Sequence, residues 1–125
     1  MKYSLEITQS ADGEQSVVSV EAEGALEDGV LSIAYSFDGD GYSLEISERG
    51  MRHERKGNLN LLMLFKMGEA TDCRISDGVR GCCFSVFTEE YQADFDGLNC
   101  TVNCLFSDGQ GGVPTRIKAA ARRLD

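Results

Sequence analysis

Residues 30–47 read Val-Leu-Ser-Ile-Ala-Tyr-Ser-Phe-Asp-Gly-Asp-Gly-Tyr-Ser-Leu-Glu-Ile-Ser, and this stretch decides the fold class. Large apolar side chains recur at every second position on both sides of its Asp-Gly pairs, with serine, alanine or glutamate between them. This period of two is typical of β-strands that bury one face. Aspartate followed by glycine favours the tight turns of antiparallel hairpins, because glycine accepts a positive φ without steric cost. The stretch therefore predicts an antiparallel hairpin.

The same two signals recur along the rest of the chain. Asp-Gly occurs seven times, and the segments between these pairs follow the period of two rather than the helical period of 3.6. The predicted apolar faces consist of Tyr3, Leu5 and Ile7, then Val18, Val20 and Ala22, then Leu59, Leu61, Met63 and Phe65, then Cys82, Phe84 and Val86, and finally Cys100, Val102, Cys104 and Phe106. The chain is therefore expected to be all-β and antiparallel.

A chain of 125 residues has room for one core, so we expect a single domain over residues 1–125. Consecutive short strands without long crossovers form either a sandwich or a barrel. We favour a meander that closes into a barrel, because closure removes the unpaired edges of the sheet. The tail is ambiguous, since its alanines favour a helix. The alternation of Ile117, Ala119 and Ala121 with basic residues nevertheless predicts a strand that closes the sheet.

The charge of the chain argues against two classes of partner. The formal net charge is −9 at pH 7, and a field of that sign repels nucleic-acid phosphates and anionic lipid surfaces. No apolar run approaches the roughly 18 residues that a membrane span requires. Residues 1–8 alternate polar and apolar types and include a glutamate, which predicts a strand rather than a secretory signal peptide. We therefore expect a cytoplasmic protein that binds neither nucleic acid nor membrane.

The middle and the C-terminal half carry a resemblance to a known family. Residues 64–71 read Leu-Phe-Lys-Met-Gly-Glu-Ala-Thr, residues 83–88 read Cys-Phe-Ser-Val-Phe-Thr, residues 91–95 read Tyr-Gln-Ala-Asp-Phe, and a long strand spans residues 100–106. The order of these strands and turns resembles the YwiB-like family of small bacterial proteins, which have a calycin-like (lipocalin-like) β-barrel. The resemblance covers most of the chain and implies a barrel of about eight main strands. It implies no established activity and no catalytic residue.

The five cysteines are expected to be reduced, buried thiols in a chain without a recognisable export signal. On one strand, Cys100 and Cys104 would lie about 13 Å apart, too far for a shared zinc ion or a mutual disulfide. Cys82 and Cys83 would face opposite sides of their strand. The pattern predicts no metal site, no cofactor and no catalytic group. A redox role or metal site that groups Cys82 with Cys100 or Cys104 across strands is the alternative.

The leading functional hypothesis is a non-enzymatic barrel that binds a small, partly apolar ligand, because a closed barrel of about eight strands can hold one. His53, the single histidine, shares a strand face with Arg55. This face either supplies polar contacts at the barrel mouth or belongs to a solvated hairpin. An enzyme that pairs His53 with a cysteine nucleophile is a less favoured alternative. The predicted lining consists of Tyr35, Phe37, Tyr42, His53, Arg55, Met63, Phe84, Cys100 and Cys104.

One strand departs from the alternation. Residues 59–65, Leu-Asn-Leu-Leu-Met-Leu-Phe, place Leu62 and Leu64 on the face that should meet solvent. A strand that is apolar on both faces is covered on both. The cover is either another part of the chain, such as the tail, or a second copy of the protein. The second case predicts a homodimeric interaction or scaffold protein that associates through Leu62 and Leu64.

Overall fold

The computed structural model describes residues 1–109 and 111–124. Within these residues, ten strands follow one another in chain order and form one antiparallel sheet, which closes where β1 pairs with β10. The strands are β1 (Lys2–Ala11), β2 (Glu14–Glu27), β3 (Val30–Phe37), β4 (Asp40–Ile46), β5 (Gly50–Lys56), β6 (Asn60–Lys66), β7 (Ala70–Ser76), β8 (Gly81–Asp96), β9 (Asn99–Ser107) and β10 (Thr115–Arg123). The predicted closed meander is confirmed, with ten strands where about eight were expected. This part of the chain contains no helix that is long and apolar enough to cross a bilayer.

Three hairpin turns have the conformation that their Asp-Gly pairs predict. Asp12, Asp28 and Asp38 have φ angles of 50°, 52° and 53°, and the glycine after each has a φ between 78° and 85°. Two consecutive positive φ angles define a type I′ turn, whose twist matches that of the flanking strands. These turns join the first four strands into consecutive hairpins.

The tail closes the barrel as β10. Ala119 lies opposite Ile7 and Ala121 opposite Leu5 on β1, while β9 pairs with the other edge of the tail. Ile117, Ala119 and Ala121 are buried inside the barrel. The prediction of a closing strand is therefore confirmed: the period of two outweighed the helical preference of the alanines, since only a strand pairs both open edges.

The long strand β8 bends across the barrel at a β-bulge. Its first half pairs with β7 and its second half with β9, and the register shifts between Thr88 and Glu90. Residues three apart on a regular strand face opposite sides, but the extra residue lets Thr88 and Tyr91 both face the interior. They are 0% and 7% exposed, respectively. The bulge thus keeps the apolar face of β8 inward along its whole length.

Two tyrosines tie strands to turns at one end of the barrel, which we call the bridged end. Tyr3 donates a hydrogen bond to the carbonyl oxygen of Leu98 over 2.9 Å, in the turn between β8 and β9. The hydroxyl of Tyr91 lies 2.7 Å from the carbonyl oxygens of both Ser47 and Gly50, which flank the turn between β4 and β5. Burial raises the pKa of Tyr91, so its hydroxyl keeps the proton that it donates. The opposite end, where β1 turns into β2 and β3 into β4, is called the open end.

Candidate functional site: the open end of the barrel

Exposure of interior-facing side chains differs between the two ends. Such a side chain can meet solvent only through an end of the barrel. At the bridged end, the half-buried members of this class among the described residues are Leu26, Ala93 and Phe95, and the first and last of them border a surface groove of about 480 Å³. At the open end, the half-buried interior residues include Ile7, Val18, Val20, Tyr42, His53, Met63 and Phe84, and we call these seven the mouth. More interior-facing side chains are therefore accessible to solvent at the mouth than at the bridged end.

Three rings form one side of the mouth, and we call Tyr35, Tyr42 and His53 the aromatic wall. Tyr35 and Tyr42 lie directly opposite each other on β3 and β4, and their ring centroids are 5.0 Å apart with planes inclined by 4°. Tyr42 and His53 stack at 5.9 Å and 19°. Cross-strand aromatic pairs of this kind stabilise a sheet. The alternating pattern of three consecutive strands therefore builds a continuous ring stack.

An ion pair lies at the rim beside the aromatic wall. The Nε and Nη2 atoms of Arg55 lie 2.8 and 2.6 Å from Oδ2 of Asp40, and the guanidinium carbon is 5.6 Å from the centroid of the Tyr42 ring. The backbone N–H of Asn58 donates to the other carboxylate oxygen over 3.4 Å. Gly57 packs so closely that a Cβ there would lie 1.9 Å from the Asp40 carboxylate. Asp40 thus joins two turns and balances the charge of Arg55.

Two buried polar atoms that point into the interior have no hydrogen-bond partner among the described residues. They are Nε2 of His53 in the aromatic wall and Oγ1 of Thr88 deeper in the barrel. Burial lowers the pKa of His53 below its usual 6.5, so the imidazole is neutral at neutral pH. A neutral imidazole nitrogen either donates or accepts one hydrogen bond, according to its tautomer. His53 therefore keeps an unpaired hydrogen-bonding atom in the interior beside the aromatic wall.

The structure brings together most of the predicted lining. Tyr35, Tyr42, His53 and Arg55 contact one another in the aromatic wall and at the rim, and Met63 lies opposite His53 on β6. Of the remaining four predicted residues, Phe84 also belongs to the mouth, and the other three lie elsewhere. Phe84 is half-buried opposite Cys73, Phe37 is 41% exposed beside the turn from β3, and Cys100 and Cys104 are buried in the core at 2% and 0% exposure. The face that carries His53 and Arg55 thus lines the interior and is not a solvated hairpin.

The cysteines divide into two groups. Cys73, Cys100 and Cys104 are buried, as expected, and burial raises the pKa of Cys100 to about 11 and that of Cys104 to about 12. The expectation of buried thiols is wrong for Cys82 and Cys83, which are exposed. Cys82 is the second residue of β8 and directly follows Gly81 at the turn between β7 and β8. Its interior-facing position therefore lies beyond the packed core. Across residues 1–109 and 111–124, no group of three His, Cys, Asp or Glu side chains could hold a metal ion.

The enzyme alternative gains no support from the surroundings of His53. Its cross-strand neighbours are Leu44 and Met63, and its ring stacks on Tyr42. None of the three is the cysteine or serine that such a mechanism requires as its nucleophile.

Leu62 and Leu64 face outward from β6, as their positions in the sequence predict, and both are half-buried. Leu62 lies opposite Glu54 on one neighbouring strand and Arg74 on the other, and Leu64 lies opposite Arg52. The tail does not cover them, because β10 pairs with β1 and β9. Grooves of about 490 and 460 Å³ border Leu62 and Leu64, respectively. The tail is therefore not the cover of these two leucines.

Comparison with known proteins supports the fold and nothing finer. No protein-family model and no curated protein sequence matches the chain. Among solved structures, the crystal structure of the ywiB protein from Bacillus subtilis superposes with a TM-score of 0.75 over 99% of this chain and 91% of that chain, at 14% sequence identity. Likeness at this identity shows the fold alone. The chain is thus a small β-barrel protein with a YwiB-like fold.

Proposed function

We propose that this protein is a non-enzymatic, calycin-like barrel that binds a small, partly apolar ligand through its open end. The observation that carries the proposal is the solvent-accessible interior of that end, where the seven residues of the mouth are half-buried. At the bridged end, Tyr3 and Tyr91 fasten strands to turns through hydrogen bonds of 2.7–2.9 Å. A ligand would therefore find accessible apolar surface mainly at the mouth.

The composition of the mouth supports the same proposal. Ile7, Val18, Val20 and Met63 offer apolar surface, and the aromatic wall adds polarizable rings with a few polar atoms. Small-molecule sites are typically concave and largely apolar, with a small number of polar groups that fix orientation. Burial of apolar surface contributes about 25 cal/mol per Å². A ligand that fills the mouth would bury apolar surface that is accessible to water in the unliganded barrel, and this burial would favour binding.

A charge scan of β2 tests the proposal with N-phenyl-1-naphthylamine, a neutral apolar dye whose fluorescence rises in apolar surroundings. Val18 faces the mouth, whereas its neighbour Val17 faces outward and is 53% exposed. We expect saturable dye binding to the wild type and to Val17→Asp, and at least a tenfold weaker affinity for Val18→Asp. Thermal melting of both variants confirms that they remain folded. Absence of saturable binding, or equal binding by the two variants, would overturn the proposal.

A second candidate function is self-association through the outer face of β6. The observation that favours it is the pair of half-exposed leucines among charges of both signs: Glu54 and Arg74 flank Leu62, and Arg52 bonds to Glu54 over 2.8 Å. A two-fold axis that runs parallel to β6 in the plane of this face would place Glu54 of each copy opposite Arg74 of the other around an apolar centre. Sedimentation velocity should show a dimer that Leu62→Ser with Leu64→Ser abolishes. A strict monomer at millimolar concentration would exclude this function.

A further inference from the structure

Three polar atoms of the aromatic wall lack partners, in contrast to the tyrosines of the bridged end. The hydroxyls of Tyr3 and Tyr91 bond to backbone carbonyl oxygens. Neither hydroxyl of Tyr35 and Tyr42 has a hydrogen-bond partner in the described part of the chain, and Nε2 of His53 is buried without one. Of these three atoms, Nε2 of His53 is the buried one, and leaving it unpaired costs free energy, whereas the two hydroxyls are accessible to solvent. The polar atoms of the aromatic wall therefore have hydrogen-bonding capacity that no other group of the described protein uses.

The two hydroxyls share one direction. Tyr35 and Tyr42 are cross-strand partners with nearly parallel rings, so both hydroxyls extend from the same side of the sheet into the interior. His53 stacks on Tyr42 and carries its unpaired nitrogen beside them. Burial raises the pKa of Tyr35, so this hydroxyl keeps its proton. The Tyr35 and Tyr42 rings are 5.0 Å apart, so each hydroxyl can donate one hydrogen bond to the same acceptor oxygen of a ligand.

The charges at the rim favour a neutral acceptor over a carboxylate. Arg55 adjoins the aromatic wall, but two of its nitrogen atoms are already bonded to the Asp40 carboxylate. An anionic head group would approach this carboxylate without an unpaired positive charge to balance it, in a chain of net charge −9. Removing an anion from water without such a partner is unfavourable. A carbonyl oxygen accepts the same hydrogen bonds without that penalty.

From this geometry we infer that the ligand is a neutral, carbonyl-bearing apolar molecule, such as a ketone, ester or amide. Its oxygen accepts hydrogen bonds from the neighbouring hydroxyls of Tyr35 and Tyr42, and its apolar body packs against Ile7, Val18 and Val20. The inference rests on the proposed function, because it names the chemistry of a ligand in the same mouth. It adds the chemical group by which the barrel distinguishes one apolar molecule from another.

Three naphthalenes of matched size test the inference: 2-acetylnaphthalene, 2-ethylnaphthalene and 2-naphthoate. Titration of the isotope-labelled protein, followed by chemical shifts, gives the three dissociation constants. We expect 2-acetylnaphthalene to bind about tenfold more tightly than the other two, the effect of roughly one net hydrogen bond. In the double variant Tyr35→Phe with Tyr42→Phe, its affinity should fall to that of 2-ethylnaphthalene, whose own affinity stays unchanged. Tyr91→Phe, which removes a hydroxyl at the bridged end, should leave all three constants unchanged.

The possible failures are distinguishable. Equal affinities for all three compounds, or an acetyl preference that survives the double variant, would overturn the carbonyl inference and leave the proposed binding function standing. Tightest binding of 2-naphthoate would overturn the choice of a neutral head group. Failure of all three compounds and of N-phenyl-1-naphthylamine to bind would overturn the inference together with the proposed function.

Discussion

Nη2 of Arg55 lies 2.6 Å from Oδ2 of Asp40, so the charge at the rim of the barrel is paired before any ligand arrives. The carboxylate side chain is 6% exposed and also accepts a hydrogen bond from the backbone of Asn58. The pair links the β3–β4 turn to the β5–β6 turn across β4 and β5. The pair therefore fixes the two turns at the open end relative to each other. It also determines whether a neutral or an anionic ligand is favoured there.

Removing the negative partner should change that preference. In Asp40→Asn, the amide keeps the shape of the side chain, but Arg55 carries an unbalanced charge. We expect the affinity for 2-naphthoate to rise about tenfold, since a hydrogen bond between charged groups contributes roughly 1.5 kcal/mol or more. The outer-face variant Glu54→Gln is the control, because it removes a half-buried carboxylate that bonds to Arg52 and Lys56 away from the mouth. An unchanged naphthoate affinity in Asp40→Asn would contradict this assignment of charge.

The tyrosines of the two ends should differ in their effect on stability. Tyr91→Phe removes the hydroxyl that bonds to Ser47 and Gly50 and should lower the free energy of unfolding by about 1 kcal/mol. Tyr35→Phe removes a hydroxyl without a protein partner, so the unfolding free energy should stay within about 0.5 kcal/mol of the wild type. Urea unfolding of the two variants measures both. Equal losses would show that the Tyr35 hydroxyl is bonded in the folded protein.

The cysteines should react at two distinct rates. Cys82 and Cys83 are exposed, whereas Cys73, Cys100 and Cys104 are buried, and burial raises the pKa of all three buried thiols. Because the thiolate is the reactive form, iodoacetamide at pH 7.5 should label two sites rapidly and the other three only after unfolding. Mass spectrometry of the peptides gives the order. Labelling of Cys104 at the rate of Cys82 would contradict the described burial.

Stability should fall between pH 7.5 and pH 5.5 because of His53. The unfolded imidazole titrates near 6.5, and burial lowers its pKa in the folded barrel. As pH falls through 6.5, the unfolded chain takes up a proton that the folded chain does not, so the unfolding free energy decreases. One group limits the slope to about 1.4 kcal/mol per pH unit. Urea unfolding of the wild type and His53→Gln should show this slope in the wild type alone, whereas parallel curves would contradict it.

The fold was predictable because its signals are local. Type I′ turns at Asp12 and Asp38 follow from their Asp-Gly pairs, and the period of two assigns each side chain to one face. The bulge near Thr88 was not predictable, since nothing in Glu89-Glu90 distinguishes an extra residue from a regular strand. The exposure of Cys82 was missed for a related reason: alternation gives the face of a residue but not its height along the barrel.

The site was predicted in part. Alternation placed Tyr35, Tyr42 and His53 on interior faces, and their cross-strand register then brings them into contact. Asp40 was missed as the partner of Arg55, because its Asp-Gly sequence is fully explained by a turn. The hydrogen bonds that distinguish the two ends depend on residues 44 and 95 positions apart. Only the closed three-dimensional register brings such residues together.

Methyl and amide chemical shifts during titration with N-phenyl-1-naphthylamine test the central claim most directly. The account predicts saturable shifts at Ile7, Val18, Val20 and Met63, with none at Leu26 in the bridged end or at Leu62 on the outer face. Saturable shifts confined to Leu26 and Phe95, or to Leu62 and Leu64, would contradict it by locating the binding surface away from the mouth.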